Sequence, residues 1–231
     1  MEPEMILIRE TDMLPFSCEP SLSCFTECCH DLDQVLTPYD VLRLKNALDM
    51  PSGEFLARYT IRFTGPETGL PMVSLKPVAE KRFACPFLSE NGCTVYQDRP
   101  ASCRTYPLIR MAAKSRQTGR ITVQYAFIRE PHCKGWRDDG KGMRVAEWME
   151  NQGLGPYEAM NDQVLTLIEA VNRLKPKSLT PETRDVIFTA IYDLDTFRNQ
   201  QAVTGEPSLP EGTVSEEALL QAAIQWAADQ I

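Results

Sequence analysis

Eight cysteines in a chain of 231 residues, all of them before residue 134, constrain this fold more than any other feature. Cys18, Cys24, Cys28 and Cys29 lie within twelve positions, Cys85, Cys93 and Cys103 within nineteen, and Cys133 stands alone. In a short exported chain an even count reads as a disulfide framework. Here the opening stretch MEPEMILIRETDML carries three glutamates and one short apolar run, Met5–Ile8, which is not the layout of a secretory signal. A cytoplasmic protein with reduced thiols is therefore expected, and a chain of this length needs no staples. Thiolates are soft ligands for zinc, copper(I) and iron–sulfur clusters. Metal ligation by most of the eight leads, ahead of inert buried thiols and of disulfides.

The spacings narrow the metal. In order they are x5, x3, x0, x55, x7, x9 and x29, with no C-x2-C knuckle of the kind zinc ribbons use. Irregular spacing suits an iron–sulfur cluster, which needs only four sulfurs converging on its corners. Neighbouring side chains diverge along a helix or strand, so adjacent Cys28 and Cys29 are expected to serve different irons or different metals. Eight thiolates then fit two four-cysteine sites. The two histidines, His30 and His132, each abut a cysteine, and either is a substitute ligand or a donor to sulfur.

Charge excludes other classes. The net charge of −8 argues against general nucleic-acid binding, and no apolar run approaches the roughly 20 residues of a bilayer span. Residues 1–140 hold 17 basic and 18 acidic side chains, whereas residues 141–231 hold 7 and 14. Arg99, Arg104, Arg110, Lys114, Arg116, Arg120 and Arg129 form a stretch without an acid. It reads either as compensation for an anionic cluster or as a solvated hairpin face.

Local patterns predict the elements. Thr37-Pro38-Tyr39-Asp40 is a capping box opening a helix to about Asp49. A short helix over 53–59 is expected with Ser52 as its cap. Ile61–Phe63 and Met72–Leu75 read as a hairpin, as do Met111–Ala113 and Ile121–Ile128. Asn91-Gly92 predicts a tight turn before Cys93, with Thr94–Tyr96 extended after it. Arg99-Pro100 opens a helical turn expected to project Cys103 inward. Apolar stripes predict helices over 157–174, from Thr180 through Phe197, and from Ser215 to the end, with Asn199–Gly212 as a linker. The expected fold class is α+β, with a cysteine-rich metal-binding domain of short helices and hairpins over 1–140. A helical C-terminal region over 141–231 is expected to pack on it.

CFTECC, then LTPYDVLRLKNAL, EFLARYT and CPFLSENGCTVYQDRPASCRTYP, together resemble the YkgJ-type CxxCxxCC cysteine-cluster family over about Phe16–Trp136. The resemblance implies a zinc- or iron-chelating domain with ligands at Cys24, Cys28, Cys29, Cys85, Cys93 and Cys103. Cys133 in HCKGW matches a late C-x-G position, and Cys18 completes the set of eight. The opening departs from the family's C-x2-C-G-x-C-C. Some relatives resemble flagellin lysine methylases. This chain has no phosphate-cradling glycine loop, G-x-S-x-G, H-E-x-x-H or C-x3-C-x2-C, so whether it is an enzyme stays open. The leading expectation is one or two iron–sulfur clusters, [4Fe–4S], serving electron transfer or redox chemistry with a redox or protein partner. The alternative is a Zn²⁺-stabilised structural or interaction module with two four-cysteine sites.

Overall fold

The computed structural model describes residues 4–31, 33–174, 178–205 and 215–231. The strands are β1 (Glu4–Ile8), β2 (Met13–Leu14), β3 (Val35–Leu36), β4 (Thr60–Thr64), β5 (Pro71–Leu75), β6 (Leu88–Ser89), β7 (Gly92–Cys93), β8 (Leu108–Lys114), β9 (Ile121–Arg129) and β10 (Met143–Arg144). The helices are α1 (Pro38–Ala47), α2 (Ser52–Tyr59), α3 (Ala101–Thr105), α4 (Val145–Asn151), α5 (Gly155–Leu174), α6 (Pro181–Ile191), α7 (Leu194–Thr204) and α8 (Glu216–Asp229). The fold is α+β, with small antiparallel sheets and a helical C-terminal region. No helix among the described residues is long and apolar enough to cross a membrane.

The chain divides into two compact units, each drawn from separated segments. The first comprises Met1–Leu32, Pro77–Thr94 and Ala101–Glu158, and the second Asp33–Lys76, Val95–Pro100 and Ala159–Ile231. All eight cysteines belong to the first.

In the first unit, β8 and β9 pair from Leu108↔Phe127 to Lys114↔Ile121, and β1 adds to the other edge of β9. Aromatic residues fill the core beneath this sheet. Phe16 is surrounded edge-on by Tyr106, Trp136 and Trp148, with ring centroids 6.1, 5.2 and 5.5 Å away. Leu14 and Val145 beside it are fully buried. Gly135 lets the backbone close onto this core, because a Cβ there would lie 2.5 Å from Ser17 O and 2.6 Å from the Phe16 ring.

In the second unit the sheet order is β3-β5-β4. The capping box forms as expected: Asp40 N–H donates to Thr37 Oγ1 at 3.2 Å and Thr37 N–H donates to Asp40 Oδ2 at 2.8 Å. Such a cap contributes about 1 kcal/mol. Lys45 is buried and paired with Glu216 at 2.6 Å and Asp195 at 3.6 Å, as a buried ammonium requires.

Four local expectations change. Ser52 lies inside α2 and does not cap it. Its N–H donates to Asp195 Oδ2 at 2.7 Å and its hydroxyl donates to Asp193 Oδ1 at 2.7 Å. A carboxylate from α7 thus does the cap's work. The helix expected from Thr180 through Phe197 is two helices, α6 and α7, broken at Tyr192–Asp193, where Asp193 becomes the N-cap of α7. Asn199–Thr204 of the expected linker belong to α7, which ends at left-handed Gly205, and residues 206–212 lie outside the described residues. Finally, Thr94–Tyr96 is not extended. Thr94 donates through both N–H and hydroxyl to Phe87 O at 2.9 and 3.1 Å, curling the chain into a 3-10 turn over Tyr96–Asp98.

Candidate metal centre

Backbone pairing brings the cysteine-bearing segments together. Segment 15–18 runs antiparallel to segment 133–137 through the Phe16↔Trp136 bridge. Ser17 N–H donates to Gly135 O and Arg137 N–H to Pro15 O, each at 2.9 Å. Cys18 and Cys133 end on adjoining strands of chain although 114 residues separate them in sequence. Lys134 N–H donates to Cys24 Sγ at 3.1 Å, joining the first loop to the same place. On the other side Cys85 N–H donates to Cys29 O at 2.8 Å, and Asp31 N–H donates to Arg82 O at 3.1 Å. The β6–β7 hairpin pairs Leu88 with Cys93, and Leu88 N–H donates to Cys85 O at 3.0 Å. The space beside Gly92 is taken by the ring of Phe25, next to Cys24.

These ties draw together the segments that carry Cys18, Cys24, Cys28–Cys29, Cys85, Cys93 and Cys133. Cys103, expected to project inward, is exposed on α3, as Cys18 and Cys28 are in their loops. A five-residue helix buries one face, and Arg104 and Thr105 occupy it. Arg104 donates to Gln152 O at 2.8 Å and lies 4.5 Å over the Tyr157 ring. Arg99, the other arginine of that motif, donates to Tyr96 O at 2.7 Å and stacks on its ring. Arg110 pairs with Glu158 at 3.4 Å. Part of the basic stretch therefore serves packing.

Cys28 and Cys29 lie in the 3-10 turn Glu27–Cys29, entered through left-handed Thr26, and their thiols are near enough to interact. The hydrogen bond with Cys29, and then loss of water, raises the pKa of Cys28 well above the thiol range. Burial pushes the Cys85 thiol up to about 11, with the charges of Cys93 and Cys28 adding to the effect. Cys18 is raised by burial first, then by Cys28, Cys133 and Cys24. These influences form a chain of neighbours from Cys24, Cys18 and Cys133 through Cys28 and Cys29 to Cys85 and Cys93.

Among the described residues no cysteine is in a disulfide. As a donor set the thiols fit a thiophilic metal, and a backbone N–H already donates to one sulfur. Among the described residues no three histidine, cysteine, aspartate or glutamate side chains form a group that could hold one ion. His30 Nδ1 is buried without a hydrogen-bond partner, and His132 Nε2 lies 3.7 Å from Glu130. Sequence reasoning missed Tyr106, Glu130 and Lys134. Proximity to Cys133 was the signal for the last two, whereas Tyr106 lies far from every cysteine of the site but Cys103 in sequence.

No curated protein and no solved structure matches the chain. The CxxCxxCC family model, whose description reads "Putative zinc- or iron-chelating domain", matches residues 17–134. That span covers half of the chain and takes in every cysteine, so the chain belongs to the CxxCxxCC family of zinc- or iron-chelating domains.

Proposed function

We propose that the cysteine-bearing unit holds iron as one or two [4Fe–4S] clusters, each gripped by four thiolates drawn from Cys18, Cys24, Cys28, Cys29, Cys85, Cys93, Cys103 and Cys133, and that it serves electron transfer. The observation that carries this reading is the meeting of three distant cysteine segments through backbone hydrogen bonds. When bound, the cluster supplies a reversible one-electron centre whose potential follows the hydrogen bonds to its sulfurs. Lys134 N–H is one such donor in place.

Backbone strain supports a strongly bound group. Thr26, Asp31, Arg82 and Phe83, all beside the cysteine loops, have φ of 69°, 49°, 56° and 50°. A left-handed non-glycine residue costs about 1–2 kcal/mol, hence about 4–8 kcal/mol for four. The exposed Arg82–Glu27 pair at 3.1 Å contributes only ~0–1 kcal/mol. Ligation of a structural metal, about 10–16 kcal/mol, is large enough to hold such loops.

Zinc is the second reading. The unpartnered buried Nδ1 of His30 favours it, since imidazole joins thiolates readily at zinc. Optical spectra of anaerobically purified protein separate the two. A brown protein whose broad visible absorption bleaches on reduction is expected. A colourless protein that dithionite leaves unchanged would favour zinc.

A further inference from the structure

Tyr106 lies between α3 and β8. Its N–H donates to Ser102 O at 3.0 Å, and Pro107 O accepts from Ile128 N–H at 3.0 Å. Leu108 pairs with Phe127 as the first pair of the β8–β9 ladder, and β9 leads out of it through Arg129 into a tight turn in which Cys133 N–H donates to Glu130 O at 3.1 Å. The Tyr106 ring packs edge-on against Phe16, and Cys133 packs against the same apolar cluster. The hydroxyl oxygen is buried without a hydrogen-bond partner. The polar groups facing it are the Cys133 thiol and the Glu130 carboxylate.

A buried donor left unpaired is costly, and a neutral thiol is a weak acceptor. A thiolate is a strong one. We infer that Tyr106 is a positioning residue that donates its O–H to the sulfur of Cys133 when that sulfur ligates metal as a thiolate. This inference rests on the metal reading above. The proton stays on the phenol oxygen, and the proton released on ligation is the thiol's own. Glu130 is the competing acceptor.

The test compares full-length wild type with Tyr106→Phe, which removes only the hydroxyl, during anaerobic titration with cobalt(II). Cobalt per chain is expected to be unchanged. Affinity, read by chelator competition, is expected to fall about 10–100-fold, the usual range for an outer-shell partner. The sulfur-to-cobalt charge-transfer band should move to longer wavelength, because the lone pairs of an unbonded thiolate lie higher. In a Cys133→Ala background Tyr106→Phe should change nothing further, and Glu130→Gln should leave the band in place. Wild-type affinity and band in Tyr106→Phe would overturn the inference, as would an equal band shift in Glu130→Gln. If wild type itself develops no thiolate band, the metal reading fails first and the inference falls with it. Should Tyr106→Phe not fold, ultraviolet resonance Raman of wild type and Cys133→Ala decides. Cobalt should perturb a tyrosine in the former alone, and identical tyrosine responses would overturn the role.

Discussion

Replacing Cys28 by alanine is expected to weaken metal binding about 100-fold. Four thiolates sharing the ~10–16 kcal/mol of a structural site contribute about 3 kcal/mol each, and 2.8 kcal/mol corresponds to about 100-fold. Cys28 is the thiol to test because its charge is felt by both Cys18 and Cys85, while its sulfur faces Cys29. That contact also predicts coupling. Cys29→Ala alone should cost a similar amount, and the double variant should lose clearly less than the sum, as neighbours in one network do. Isothermal competition against a chelator of known affinity reads all three. Additive losses would assign the two sulfurs to separate centres, and unchanged affinity would remove Cys28 from the ligand set.

The second large effect is on pH. Thiols must lose their protons to ligate, so each that does so below its pKa makes affinity climb about tenfold per pH unit. An ordinary thiol near 8.5 stops contributing above that pH. Cys85 is held near 11, and Cys18 and Cys28 are also raised. Affinity is therefore expected to rise by about 1000-fold per unit through neutral pH from these three alone, and to go on rising past pH 9. A plateau above pH 8.5 would show that these thiols titrate normally. For metal-free protein the sign reverses. A folded pKa near 11 against an ordinary 9.0 means that the unfolded chain loses the Cys85 proton first. That stabilisation is full below about pH 9 and is lost as pH rises toward 11.

Features written in a few adjacent residues were legible without coordinates. The Thr37 capping box, the turn at Asn91-Gly92 and the apolar stripe of α5 each depend on contacts within about one turn of chain. The gathering of ligand-type side chains was legible as composition, since thiols clustered in half a chain have few uses. What remained hidden depends on long-range pairing. Nothing local sets segment 15–18 against segment 133–137, or lets Asp193 and Asp195 take over the start of α2. The break between α6 and α7 was hidden because its apolar periodicity continues across it, while Asp193 is committed to Ser52 and to capping. The interaction of Cys28 with Cys29 was hidden too, because neighbours on regular elements diverge and nothing in the sequence announces the left-handed Thr26 before their turn.

The most direct measurement is iron, zinc and acid-labile sulfide per chain, in full-length protein purified without oxygen. A [4Fe–4S] centre held by these cysteines predicts iron and sulfide in equal amounts, about four of each per cluster, lost together in Cys28→Ala. Folded protein that carries neither metal, and takes up none when supplied under reducing conditions, would contradict thiolate ligation altogether.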